Sequence, residues 1–162
     1  MIPLAKQVIL AAKERGITIA TAESCTGGMV AAALTDIAGS SAAFERGYVT
    51  YSNTAKVEML GVSQATLDAH GAVSEETAKE MCEGARLHAR TAVAVATTGI
   101  AGPGGSDFKP EGRVCFGVTD GVETFCQTVE FGALGRENVR SAATEHALQM
   151  LLDRIISISH TS

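Results

Sequence analysis

Aromatic side chains are scarce in this sequence. Of its 162 residues only 4% are aromatic and none is tryptophan, whereas 46% are hydrophobic. Proteins that bind single-stranded nucleic acids without sequence preference stack the bases on exposed aromatic rings, so the composition argues against such a surface. The apolar residues are largely alanine and valine, and a core of small side chains predicts helices and a sheet that approach one another closely.

The sequence also has fewer basic than acidic residues. The chain has 13 Lys and Arg against 18 Asp and Glu, which gives a net charge of −5. Sequence-independent binding of DNA or RNA depends on a basic face, so we expect no nucleic-acid partner. A small anionic ligand remains compatible with this charge, because backbone N–H groups at helix N-termini bind phosphate without a net positive charge.

Cysteine pairs, histidine pairs and long apolar runs are missing as well. The four cysteines have no C-x-x-C spacing, and no two histidines have the spacing of a zinc site, so neither a disulfide framework nor a metal is expected. No apolar stretch reaches the length of a membrane span, and the N-terminal residues lack the layout of a secretory signal. We therefore expect a soluble cytoplasmic protein with reduced thiols, no membrane partner and no cofactor.

Helical and strand patterns alternate along the chain. Periodic apolar residues predict helices over residues 4–15, 29–37, 54–60, 74–90 and 136–156, and β-branched or apolar runs predict strands over 17–22, 48–51, 92–97, 114–119 and 122–131. Asp120-Gly121 between the last two strands predicts a hairpin with a type I′ turn. The length fits one domain. We expect a single α/β domain over residues 1–162, a three-layer α/β/α sandwich with a mixed sheet and a C-terminal β-hairpin.

The first loop with reactive side chains is Glu23-Ser24-Cys25-Thr26-Gly27-Gly28, between a predicted strand and a predicted helix. In such a loop the hydroxyl and N–H groups lie at the carboxyl edge of the sheet, where open α/β sheets bind ligands. Helix capping by the hydroxyl residues, with glycines for the turn, explains the same residues without any ligand.

The second region contains Ser41 in Gly39-Ser40-Ser41, followed by Tyr51 and Lys56. A serine paired with a lysine hydrolyses amides when the neutral amine accepts the hydroxyl proton. The lysine must then be desolvated, since its ordinary pKa lies far above neutral. The Tyr51 hydroxyl is a candidate to relay or orient that proton. The alternative is that Lys56 is a solvated helix residue and Tyr51 a residue that fills the strand.

The third loop runs from Thr98-Gly99 through Gly102-Pro103-Gly104-Gly105. It fails the P-loop template because Gly105-Ser106 stands where Lys-Ser/Thr is required, and it lacks the third glycine of the dinucleotide fingerprint. A nucleotide kinase and an NAD-dependent enzyme are both disfavoured. The loop is either a glycine-rich cradle for a ligand or a tight turn.

In this order the motifs resemble the CinA C-terminal domain family over nearly the whole chain. The resemblance is carried by Ala22-Glu23-Ser24-Cys25-Thr26-Gly27-Gly28, Gly39-Ser40-Ser41, Tyr51-Ser52-Asn53 with Lys56, Gly71-Ala72-Val73-Ser74, Thr98-Gly99-Ile100-Ala101-Gly102-Pro103 and Lys109-Pro110. It implies a stand-alone nicotinamide-nucleotide amidase of the pyridine nucleotide cycle, which converts nicotinamide mononucleotide to nicotinic acid mononucleotide and ammonia.

The resemblance also implies the site residues. Either Ser24 or Ser41 is the nucleophile and the other donates a hydrogen bond, with Lys56 as the base and Tyr51 assisting. The residues expected to bind substrate are Thr26, Gly27, Gly28, Asn53, Thr98, Gly99, Gly102 and Arg136. A nucleotide-binding or interaction module without turnover is the alternative. The alanine-rich surfaces and the C-terminal helix are compatible with a homodimer or a higher homo-oligomer.

Overall fold

The structure is a computed structural model that describes residues 2–106 and 108–159. Within these residues the chain forms six α-helices and five β-strands. In chain order they are α1 (Leu4–Arg15), β1 (Ile19–Glu23), α2 (Met29–Thr35), β2 (Phe44–Val49), α3 (Asn53–Leu60), α4 (Gln64–His70), α5 (Glu75–Ala89), β3 (Val93–Gly99), β4 (Arg113–Thr119), β5 (Thr124–Glu130) and α6 (Arg136–Ile156). A 3-10 helix over Ser40–Ala42 precedes β2.

The five strands form one mixed sheet in the order β2-β1-β3-β4-β5. Strand β1 runs parallel to both of its neighbours, whereas β4 is antiparallel to β3 and to β5. The carboxyl ends of β1, β2 and β3 therefore meet at one edge of the sheet. The three loops that follow these strands are brought together there, which is the arrangement in which α/β sheets bind ligands.

Helices cover both faces of the sheet, as the three-layer prediction requires. On one face α1, α2 and α6 pack their apolar residues against Ile19, Val93, Val95 and Phe116. On the other face α3, α4 and α5 pack against a sheet surface of alanines, Ala20, Ala22, Ala94 and Ala96. This second face confirms that the small core residues allow close approach. A Cβ atom on Gly117 would lie 2.7 Å from the carbonyl oxygen of Ala78 in α5, so no larger residue fits between sheet and helix.

Several sequence predictions need correction. Strand β2 covers Phe44–Val49 rather than residues 48–51, because its ladder with β1 starts at Phe44 and includes polar residues. Helix α4 was missed; it has seven residues and only Leu67 is buried. The turn between β4 and β5 has four residues instead of two, since the Asp120 carboxylate accepts hydrogen bonds from the N–H groups of Val122 and Glu123. Among the described residues no helix has the length and apolar character needed to cross a bilayer.

Candidate active site

A cavity of about 520 Å³ opens at the carboxyl edge of β1, β2 and β3. Its lining comes from the loops that follow these strands, from the connection between α4 and α5, and from the start of α6. The lining residues are Ser24, Cys25, Tyr51, Asn53, Lys56, Leu67, Gly71, Ala72, Val73, Thr98, Gly99, Ile100, Ala101, Gly102, Pro103, Gly104, Gly105, Ser106, Lys109 and Arg136. All three loops predicted from sequence contribute to this one cavity.

A serine and a lysine meet inside the cavity. Ser24 directly follows β1, and Lys56 lies in α3, which comes after α2, the 3-10 helix and β2 in the chain. The Nζ atom of Lys56 donates to Ser24 Oγ at 3.0 Å and to the carbonyl oxygen of Thr50 at 2.7 Å. Ser52 caps α3 by accepting a hydrogen bond from the N–H of Ala55, which fixes the first turn of the helix that carries Lys56.

Burial changes the protonation of Lys56. Only 1% of its surface is exposed, and this desolvation lowers the pKa of the amine from its ordinary 10.5 to about 8. A nearby Cys25 side chain opposes the shift to a smaller extent. With a pKa of about 8, roughly one amine in ten is neutral at pH 7. The neutral amine has a free lone pair and can accept a hydrogen bond from the Ser24 hydroxyl. In that direction the hydroxyl can give its proton to Lys56.

The turn after β1 is held from the inside by a buried carboxylate. Glu23 Oε1 accepts from Thr26 Oγ1 at 2.6 Å and from the N–H of Val30 at 2.9 Å, and Oε2 accepts from the N–H of Ala31 at 3.1 Å. The Thr26 hydroxyl also contacts Thr97 Oγ1 in β3 at 2.8 Å. Glu23 thus satisfies the free N–H groups at the start of α2, a helix that no side chain caps at Gly28.

Arg136, the first residue of α6, joins two of the loops at the mouth of the cavity. Its guanidinium donates to the carbonyl oxygen of Gly102 and to the hydroxyl of Tyr51, both at 2.8 Å. The hydrogen bond of Tyr51 therefore comes from Arg136, at an exposed position, whereas Lys56 Nζ contacts Ser24 and Thr50. The expectation that Tyr51 relays a proton between Ser24 and Lys56 is not supported by these contacts.

The opposite wall is tied to the rest of the molecule by two side chains. Thr98 Oγ1 donates to the carbonyl oxygen of Ala72 at 2.8 Å. Lys109 Nζ donates to the carbonyl oxygens of His70 and Val73 at 2.7 and 2.6 Å. These bonds fasten the connection between α4 and α5 to the glycine-rich loop after β3, so both sides of the cavity have defined positions.

Most of the residues selected from sequence line the cavity, namely Ser24, Tyr51, Asn53, Lys56, Thr98, Gly99, Gly102 and Arg136. Ser41 does not join them. It lies exposed in the 3-10 helix before β2, where the Ala43 carbonyl bonds to the N–H of Ile19 at the amino end of β1. Five residues of strand, about 15 Å, separate that end from Ser24. Ser41 is therefore excluded as a partner of Lys56 in this structure.

Thr26, Gly27 and Gly28 shape the turn instead of lining the cavity. Thr26 is fully buried in its contacts with Glu23 and Thr97. Gly27 and Gly28 both have a positive φ, which lets the chain reverse between β1 and α2. These three residues do not line the cavity, and their expected role in binding substrate stays a prediction.

Sequence reasoning gave no role to Glu23, Lys109 or Arg140. Glu23 was detectable as an acidic residue that ends a buried strand and precedes an uncapped helix. Arg140 lies one helical turn after Arg136, and residues four apart share a helix face. The sequence therefore predicted that both arginines lie on one face of the helix, but not which groups Arg140 contacts. As for metals, no group of three or more His, Cys, Asp or Glu in the described part of the chain is placed to hold an ion.

The fold and site together define an α/β protein whose buried lysine contacts a serine in an open cavity. The model of the CinA C-terminal domain matches residues 1–155. The chain belongs to the CinA C-terminal domain family, which confirms the resemblance drawn from the motifs.

The relatives differ in length. The chain is 50% identical over 157 residues to "Nicotinamide-nucleotide amidohydrolase PncC" of Escherichia coli K12, and the match covers 96% of this chain and 95% of that protein. It is 49% identical over 157 residues to a "CinA-like protein" of Chloroherpeton thalassium, where the match covers 92% of this chain but only 37% of the relative. The chain thus spans about a third of the longer relatives.

Solved structures share the fold. A competence/damage inducible protein from Agrobacterium tumefaciens has a TM-score of 0.90 at 45% identity, with 94% of this chain and 97% of that chain covered. A competence damage-inducible protein from Klebsiella pneumoniae has a TM-score of 0.92 at 38% identity, with 96% and 97% covered. These neighbours confirm the α/β class with a mixed sheet.

Proposed function

We propose that this protein hydrolyses nicotinamide mononucleotide to nicotinic acid mononucleotide and ammonia, with Ser24 as the nucleophile and Lys56 as the base. The observation that carries the proposal is the 3.0 Å contact between a buried lysine of lowered pKa and a serine in the cavity. The name of the E. coli relative, which matches over nearly its whole length, supports the substrate and the reaction.

The proposed reaction has two halves. Neutral Lys56 takes the proton of Ser24 while Oγ attacks the amide carbon, and the proton then passes to the leaving nitrogen, so that ammonia departs and an acyl ester remains on Ser24. Water, deprotonated by the same amine, attacks the ester and releases the acid and the free serine. Each half passes through an oxyanion that needs N–H donors, and the proposed source of these donors is the backbone of the glycine-rich loop after β3, which lines the cavity.

Arg136 is proposed to bind the phosphate of the substrate. A guanidinium has five N–H donors, and within residues 2–106 and 108–159 Arg136 uses two of them, one for the Gly102 carbonyl oxygen and one for the Tyr51 hydroxyl. Its place at the mouth of the cavity, at the N-terminus of α6, suits an anion that remains partly in water. Arg136→Ala is expected to raise KM for the mononucleotide at least tenfold with little change in kcat.

Ammonia release from nicotinamide mononucleotide, followed with a coupled enzyme, tests the proposal. We expect turnover by the wild type, a loss of kcat of at least about 10³-fold in Ser24→Ala, and kcat within twofold of wild type in Ser41→Ala, which serves as the matched control. Binding of the nucleotide without ammonia release would instead indicate a non-catalytic binding module and overturn the proposal.

The compartment is a further part of the proposal. All four cysteines, Cys25, Cys82, Cys115 and Cys126, are free thiols. Free thiols are typical of proteins in a reducing compartment, which supports the cytoplasm as the place where the enzyme acts.

A further inference from the structure

Helix α6 reaches the turn that carries Ser24 through a second arginine. Arg140 Nε donates to the carbonyl oxygen of Cys25 at 3.0 Å, and its Nη2 donates to the carbonyl oxygen of Thr26 at 3.3 Å. One guanidinium thus holds two consecutive peptide carbonyls directly after Ser24. The two residues are more than a hundred positions away from Arg140 in the chain, so this contact joins two distant parts of the fold.

The contact fixes the direction of the peptide groups beside Ser24. In a trans peptide the C=O and the N–H point in opposite directions, so a guanidinium that holds the Cys25 carbonyl turns the Thr26 N–H to the other side. The next N–H, that of Gly27, donates to the carbonyl oxygen of Ser24 at 3.0 Å and closes the turn. Arg140 therefore controls the orientation of the amides that follow the proposed nucleophile.

The guanidinium of Arg140 also lies close to Gly27 in the turn. A Cβ atom on Gly27, where φ is +57°, would lie 3.1 Å from Arg140 Nη2, so the guanidinium packs directly on the turn. Among the ion pairs of residues 2–106 and 108–159 none includes Arg140, although the side chain is half-buried. Its charge faces the backbone carbonyls of the turn.

We propose that Arg140 is a positioning residue for Ser24: its guanidinium clamps the carbonyls of Cys25 and Thr26, which fixes the turn and holds the Ser24 hydroxyl against Lys56. This role rests on the proposed function of Ser24 as the nucleophile. Arg140 acts through the turn and does not touch the substrate, so its loss affects the chemical step more than binding.

Three variants and a control test this role with nicotinamide mononucleotide as the substrate. Arg140→Met and Arg140→Ala are expected to lower kcat at least tenfold with KM changed less than threefold, and Arg140→Lys is expected to fall between them and the wild type because an ammonium lacks the planar fork. Arg154→Met is the control. It removes a half-buried arginine from the same helix about 21 Å away, where the side chain pairs with Asp120 and Glu123.

Chemical rescue separates positioning from a general effect on folding. Methylguanidinium in the millimolar range is expected to raise the kcat of Arg140→Ala at least threefold. It is expected to leave the kcat of Ser24→Ala and of Arg154→Met unchanged. A kcat within twofold of wild type in Arg140→Met would overturn the proposal. A rise in KM at constant kcat would also overturn it, because Arg140 would then bind substrate.

A second measurement does not depend on the amidase reaction. The rate at which a fluorophosphonate labels Ser24, measured by mass spectrometry of the intact protein, reports the reactivity of the hydroxyl directly. We expect labelling in the wild type, at least tenfold slower labelling in Arg140→Met, and acceleration of Arg140→Ala by methylguanidinium. Equal labelling of wild type and Arg140→Met would overturn the role of Arg140. Absence of ammonia release with this labelling pattern intact would contradict the amidase proposal alone.

Discussion

The amine of Lys56 lies 3.0 Å from the hydroxyl of Ser24, although 32 positions separate the two residues in the chain. They meet because β1 and β2 are adjacent parallel strands whose carboxyl ends share one edge of the sheet. Ser24 follows the first strand and α3 follows the second, so the topology alone brings both residues to the same cavity. The chemistry of the site is therefore a consequence of strand order.

The rate should depend on pH through Lys56. Because the base acts as the neutral amine and its pKa is lowered to about 8 by burial, log(kcat/KM) is expected to rise with a slope near one below about pH 8 and to level off above it. Measuring initial ammonia release between pH 6 and 9.5 checks this. Lys56→Arg keeps the charge but does not lose its proton in this range, so it should be inactive throughout. A flat profile from pH 6 to 8 would contradict the assignment of Lys56 as base.

The same shift predicts a pH-dependent stability. The folded pKa of about 8 lies below the ordinary 10.5, so between these values the unfolded chain binds a proton that the folded chain lacks. The free energy of unfolding of the wild type should therefore rise, relative to Lys56→Met, by about 3 kcal/mol from pH 7 to pH 10.5. Urea unfolding of both proteins at several pH values measures the difference, in which the titration of all other groups cancels. A difference that stays constant would contradict a lowered pKa.

Cys25 stands next to Ser24 and also lines the cavity, which raises the question of a thiol nucleophile. Desolvation raises the pKa of the Cys25 thiol to about 12, so the thiolate is almost absent near neutral pH. We expect Cys25→Ala to keep kcat within threefold of wild type, in contrast to Ser24→Ala. A loss of activity in Cys25→Ala comparable to that in Ser24→Ala, in a protein that still folds, would assign the attack to the thiol.

Glu23 is expected to matter more for stability than for chemistry. Its carboxylate accepts three hydrogen bonds in a fully buried position, and removal of the acceptor takes away the partner of the Val30 and Ala31 N–H groups, while the Thr26 hydroxyl keeps its contact with Thr97. Glu23→Ala should lower the free energy of unfolding by about 3 kcal/mol, measured by urea unfolding at pH 7. Glu45→Gln is the control, since Glu45 is exposed and pairs with the exposed Arg46, and it should change stability by less than about 0.5 kcal/mol. An equal effect of both variants would contradict the capping role of Glu23.

Long periodic elements were predictable from the sequence, and short or polar ones were not. Helix α6 has the predicted bounds of Arg136–Ile156 because its apolar residues repeat over many turns. Helix α4 was not predicted because its seven residues, of which only Leu67 is buried, show no periodic pattern of apolar residues. Strand β2 was misplaced because an edge strand has only one neighbour, and its polar residues gain their partners from β1, which lies far away in the chain.

The site shows the same division between local and distant information. The motifs selected Ser24 and Lys56 but left Ser41 as an equal candidate, since both serines lie in matched motifs. Only the direction of β1 separates them, with Ser24 at its carboxyl end and Ser41 near its amino end. The role of Arg140 depends on how α6 packs on the turn after β1. The residues around Arg140 in the sequence do not predict that packing.

The scarcity of rings has a practical consequence at the mouth of the cavity. The chain has no tryptophan and two tyrosines, so tyrosine dominates its intrinsic fluorescence. Tyr48 packs against the alanine-rich core, whereas Tyr51 is 62% exposed and bonded to Arg136. A ligand that draws Arg136 away from the phenol alters the emission of one of only two fluorophores. The unlabelled protein thus contains its own optical reporter for occupancy of the cavity.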